Sequence, residues 1–196
     1  TEWIRQTRNE RFADILALEE RWKSRPTERG DSDRLQLKWL MWHLTSTDRE
    51  LRDVATRAVY WFGRGDPSAL FEEAISSIEI NDPYIPERML AASYGVAMAH
   101  RAEFERESFA SSELGEFARR LYDEVFADGS PHSTTHILFR EYAVRVVELA
   151  RLHNPALFSP EELTKLIPPF EMSDLSEWGV KDYPDEGRGI SQSPSP

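Results

Sequence analysis

NDPYIPERMLAASYGVAMAH, residues Asn81 to His100, opens on turn chemistry and runs into a helix. Asn81 and Asp82 can bond their own backbone, and Pro83 and Pro86 each fix φ. Ala91, Ala92, Ser93, Gly95, Ala97 and Ala99 follow, while Ile85, Met89, Val96 and His100 recur near one helical stripe. A helix with small residues on several faces lets neighbours approach from more than one side. The stretch therefore reads as a central helix with others packed around it.

Helical signals continue on both sides. Thr1–Lys23 carries Phe12, Ile15, Leu16 and Trp22 on one side, and Ser24–Ser32 reads as a loop. A helix from Ser32 or Asp33 to Leu44 places Leu35, Trp39 and Trp42 on one stripe, with Leu40, Met41 and Leu44 beside it. Its two tryptophans predict a wide, buried contact. Thr47 to Glu50 matches a capping box ahead of Leu51, Val54, Ala55, Ala58, Val59 and Phe62, the cleanest helical period in the chain. Gly63 and Gly65 are expected to stop that helix, and Asp66-Pro67 to start the next, with Leu70, Phe71, Ala74, Ile75 and Ile78 inward.

Beyond the charged link Arg101–Glu107, Ser111 or Ser112 can cap a helix carrying Leu114, Phe117, Ala118, Leu121, Tyr122 and Val125, which Asp128 to Pro131 ends. Ser133 to Leu152 is apolar on most sides, which predicts a buried helix ending at Asn154-Pro155. Ser159 to Glu162 is a second capping box, opening a short helix to Leu166. From Phe170 the chain has no sustained period and carries six acids against two bases, so an extended or disordered acidic tail is expected over 170–196. The expected fold is all-α over 1–169: seven to eight helices in a HEAT- or armadillo-like α-solenoid with degenerate repeats, a globular helical bundle being the alternative.

Composition bounds the function. The 196 residues suffice for one domain or for one segment of a longer solenoid, and no apolar run approaches the ~20 residues of a membrane span. With no cysteine there can be no disulfide, thiolate zinc site or cysteine nucleophile. That fits a reducing, cytoplasmic setting, and no signal peptide is visible at the start of the sequence. The net charge of −11 argues against a nucleic-acid partner. No phosphate loop, Gly-x-Gly-x-x-Gly or Gly-x-Ser-x-Gly motif is present, so no catalytic, cofactor or metal residue is assigned.

Each candidate side chain has a plainer alternative. His132 and His136, four apart after Asp128, have zinc-like spacing, but capping or packing is the stronger reading. Arg64-Gly65-Asp66 is accounted for by one helix end and the next N-cap. Arg140 and Glu141, and Glu87 and Arg88, read as structural ion pairs with neighbouring helices. Trp61 falls off the Leu51–Phe62 stripe and is the best single contact candidate. With Arg64, Asp66, Asn81, Asp82 and Tyr84 it makes up the expected partner-contact set.

Three stretches in order carry a resemblance: WHLTSTDRELRDVATRAV from Trp42, NDPYIPERMLAASYGVAM from Asn81, and THILFREYAVRVVELA from Thr135, followed by IPPF ending at Phe170. Together, over about Leu35 to Phe170, they resemble the helical-repeat region of large bacterial NACHT/STAND-type NTPases of the kind associated with antiphage defence. The resemblance implies a non-catalytic scaffold or sensor segment that contacts a protein partner or neighbouring domains of its own chain. It carries over no catalytic residue, because the NTPase motifs are absent here. The enzyme alternative is a HEAT-like DNA glycosylase, with Trp39, Trp42 and an Asp cast as stacking and acid groups. A free-standing adaptor and a ligand-free spacer are the remaining readings.

Overall fold

The computed structural model describes residues 2–25, 29–100 and 110–167. These form eight α-helices and one short 3-10 helix, with no strand among the described residues. The helices are α1 (Glu2–Ser24), α2 (Asp31–Met41), α3 (Arg49–Gly65), α4 (Pro67–Ser76), α5 (Tyr84–Ala99), α6 (Ala110–Val125), α7 (Ile137–His153) and α8 (Pro160–Thr164); the 3-10 turn is Ser77–Glu79. The Arg101–Glu107 link and the acidic tail lie outside the described residues.

The helices alternate between two rows. In the first, α1 packs on α3, α3 on α5 and α5 on α7. Arg8 meets Asp48 and Glu50 near the start of α3, Arg57 binds Glu19 at 2.8 Å, and Trp22 packs edge-on against Phe62 near its end, so α1 and α3 run parallel. Arg88 reaches Asp53 at 3.0 Å while Gly63 abuts Val96, so α5 runs parallel to α3. The ring of Tyr84 lies against that of His136, which places the N-termini of α5 and α7 together.

The second row is also parallel. Arg34 faces Asp66 at 3.6 Å and Lys38 faces Glu73 at 3.4 Å, linking α2 to α4. Phe71 stacks on Phe117 with ring centroids 4.3 Å apart, and Glu72 pairs with Arg120, linking α4 to α6. Arg119 then binds Glu162 of α8 at 2.6 Å. The core lies between the rows, and α5 is central to it, touching α3, α4 and α7.

The stripes predicted for α3, α4 and α6 are buried throughout: Leu51 to Phe62, Leu70 to Ile78, and Leu114 to Val125. The N-termini of α4 and α8 follow the expected chemistry. The Asp66 carboxylate accepts the Ala69 N–H, and Ser159 and Glu162 form a reciprocal box.

Four expectations need correction. In α2 the buried stripe is Leu37, Leu40, Met41 and the following Leu44, at i, i+3, i+4 and i+7; Leu35 is 69% and Trp42 65% exposed. A flanking helix is covered on one stripe only, and here the leucine and methionine stripe is the covered one. The α3 cap is Asp48, one residue after Thr47, and it accepts the N–H groups of Glu50 and Leu51. The last long helix starts at Ile137 and is covered on one side, leaving Ile137 and Leu138 exposed while Phe139, Ala143, Val146 and Val147 are buried.

Gly63, finally, does not end α3; it lies inside the helix. A Cβ there would sit 2.3 Å from Leu70 Cδ2 and 2.9 Å from Val96 Cγ2. The glycine thus lets α4 and α5 close on α3 together. Gly63→Ala is expected to destabilise the fold by about 1–3 kcal/mol through overpacking, despite alanine's better helix propensity. A urea unfolding midpoint equal to wild type would contradict this close packing.

Candidate functional site

The six predicted contact residues fall into two groups. Trp61, Arg64 and Asp66 lie where α3 ends, and Asn81, Asp82 and Tyr84 lie where α5 begins. Because α3 and α5 run parallel, the groups are separated by roughly the length of α5, whose 16 residues span about 24 Å. They cannot form one compact site.

The first group is built around Arg29, a residue that periodicity could not single out. Arg29 is buried, and its guanidinium donates to the carbonyl oxygens of Trp22, Arg25, Trp61 and Phe62 at 2.7–3.1 Å. These carbonyls belong to the C-terminal ends of α1 and α3 and the residue after α1, where helix dipoles favour a cation. Burial pushes the guanidinium below its ordinary pKa. Alongside, Asp33 accepts from the Trp22 indole and Arg21. Burial alone would raise the Asp33 carboxyl, but these hydrogen bonds, that of Gly30 and the Arg21 charge together hold it below the usual range.

Trp61 is therefore only half-exposed: Lys23 sits over its ring, Tyr60 packs edge-on against it, and its carbonyl serves Arg29. Asp66 caps α4 and faces Arg34. Arg64 has one guanidinium nitrogen buried without a hydrogen-bond partner. This end of the molecule is occupied by structural contacts.

The second group is more open. Asn81 is exposed, the Asp82 carboxylate accepts the Tyr84 N–H at 3.0 Å, and Tyr84 is 52% exposed. Next to it is a recess of about 220 Å³ between α2 and α4, lined by Lys38, Met41, Trp42, Glu73, Ser76 and Ile80. Trp42, expected in the core, stands at its rim. Of the two apolar stripes in this segment the covered one is Leu37, Leu40, Met41 and Leu44, which leaves Trp42 outside. Trp39, by contrast, is half-buried against His43 with Arg11 over its ring. The two tryptophans do not make a shared stacking surface.

A second recess of about 240 Å³ lies between α3 and α5, over Ala91 and Ala92. Its cations are already engaged, Arg57 by Glu19 and Arg88 by Asp53.

Among the described residues no group of three His, Asp or Glu side chains could hold a metal ion. His132 pairs with Glu124 at 2.8 Å, and Asp128 pairs with Lys165. His136 caps α7, its Nδ1 accepting the Phe139 N–H at 3.3 Å. The ring proton must then sit on Nε2, which faces the buried Glu87 carboxylate at 3.6 Å. Glu87 also faces Arg88 at 3.5 Å within α5; the anticipated pair with a neighbouring helix is the one Arg88 makes with Asp53 of α3, while Glu141 pairs with Arg145 inside its own helix. Arg140 is buried with its guanidinium over the Phe126 ring and a hydrogen bond to the Thr134 carbonyl. Burial lowers its pKa.

Compared with protein-family models, curated proteins and solved structures, the chain matches none.

The cap at His136 is testable. His136→Ala should cost about 1 kcal/mol in urea unfolding, and His136→Asn, which restores a capping oxygen, should recover most of it. Equal loss in both variants would show that the imidazole's other contacts, not the cap, set its contribution.

Proposed function

We propose that this chain is a HEAT- or armadillo-like α-solenoid serving as a non-catalytic scaffold or sensor segment of a larger bacterial NACHT/STAND-type NTPase. It would contact a protein partner or neighbouring domains in the cytoplasm, in a system of the antiphage-defence kind. The solenoid reading is supported by the two rows, in which successive helices alternate and each row runs parallel. Stacked helix pairs of this sort build extended surfaces rather than a single enclosed pocket.

The observation that carries the contact role is the exposure of large apolar side chains near the turns that join paired helices. Trp42 follows α2, Tyr84 opens α5 and Ile137 opens α7, at 65%, 52% and 80% exposure. All three turns face one edge, because the helices within each row are parallel. Hydrophobic side chains concentrated on an edge mark contact sites more often than isolated ones do. As a sensor, the segment would act by binding its partner with different affinity in two arrangements of the parent protein. The glycosylase reading gains no support, since Trp39 and Trp42 occupy separate environments and the net charge is −11.

The test is the coding frame around residues 1–196. The proposal expects a Gly-x-x-x-x-Gly-Lys-Ser/Thr phosphate loop encoded upstream in the same frame. A frame confined to these residues would contradict the NTPase assignment and leave a free-standing adaptor.

A further inference from the structure

Resting on that scaffold reading, we infer that the recess between α2 and α4, together with the turn leading into α5, docks a basic segment of a partner protein that carries one bulky apolar anchor. Charge is distributed unevenly along this part of the chain. From Gly65 to Glu87 the chain carries Asp66, Glu72, Glu73, Glu79, Asp82 and Glu87, with no lysine or arginine between Arg64 and Arg88.

Four of these acids have internal cationic neighbours. Asp66 faces Arg34, Glu73 faces Lys38, Glu72 faces Arg120, and Glu87 lies buried beside Arg88 and His136. Glu79 and Asp82 have no cationic partner among the described residues. Glu79 is exposed, Asp82 is half-buried, and they flank Ile80, which lines the recess with Met41 and Trp42. A neighbouring cation would therefore find two carboxylates without a cationic partner next in sequence to Ile80, at an opening where Met41, Trp42 and Ile80 lie beside Ser76 and the Lys38–Glu73 pair.

At about 220 Å³ the recess falls below the ~300–1,000 Å³ of small-molecule pockets and suits a single inserted side chain. Its rim is aromatic: Trp42 is 65% exposed, and an indole face attracts a lysine or arginine of the incoming segment as well as apolar groups. The overall charge of −11 would steer such a segment towards the protein and raise its association rate.

The test uses two short fluorescein-labelled synthetic peptides with the same leucine and phenylalanine anchors. One carries Lys and Arg at every polar position, and the other carries Glu. Each is titrated with the full chain by fluorescence anisotropy, at low and at physiological salt. The basic peptide is expected to bind, more weakly at higher salt. Trp42→Ala should weaken it about thirtyfold, as for an interface anchor. Glu79→Lys should weaken it several-fold, with the gap closing as salt rises. Both sites are exposed, so the variants should keep the wild-type urea midpoint; were one to unfold, the peptide pair and salt series on wild type still decide.

Equal binding of the acidic peptide, binding of the basic one unaffected by either substitution, or no binding of either would overturn the inference. So would self-association of the wild-type chain that Trp42→Ala abolishes, since the occupant would then be a second copy. None of these results touches the scaffold reading, which the coding frame decides separately.

Discussion

One buried cation fixes how the first row starts. Arg29 spends its guanidinium on four backbone carbonyls, drawn from the ends of α1 and α3 and the residue after α1. Taking an arginine out of water is costly, and only a full set of acceptors offsets it. The acceptors here carry the partial negative charge of helix C-termini, which adds to the compensation. Both helix ends converge on the same point, with α1 and α3 parallel. Trp22 against Phe62 then closes the space beneath the cation.

That constraint reaches the rest of the fold through α3. Directly after Arg29's acceptors in α3, Trp61 and Phe62, stands Gly63, where Leu70 of α4 and Val96 of α5 both close on the helix. With α5 placed by α3, the Glu87 and His136 contact places the start of α7 beside the start of α5. The rows follow from local contacts between neighbouring helices.

Much of this was legible in the sequence, and the failures have physical reasons. The α3 stripe from Leu51 to Phe62 was readable because one face of that helix is apolar and the other charged. The α4 and α6 stripes were readable for the same reason. In α2 two apolar stripes compete, and periodicity cannot say which one a neighbour covers; weighting the tryptophans picked the exposed one. In α7 nearly every face is apolar, yet coverage depends on how many helices surround it. Arg29 was invisible because its partners are backbone carbonyls, which every residue has. The contact residues split for a related reason: Arg64 and Asp66 lie close in sequence to Asn81 and Asp82, but a full helix length separates them in space. The open edge at Tyr84 was partly anticipated, whereas Trp42 joins it only once the α2 stripe is reassigned.

The most direct test of this account is native-state hydrogen exchange on Arg29→Met, which keeps the side chain's length and removes its donors. Amide protection is expected to fall first at the C-terminal turns of α1 and α3, around Trp22 and Trp61 to Gly65, while α7 keeps its wild-type pattern until global unfolding. Unchanged protection at those turns, or an equal loss in every helix, would contradict the claim that Arg29 sets the alignment from which the two rows are built.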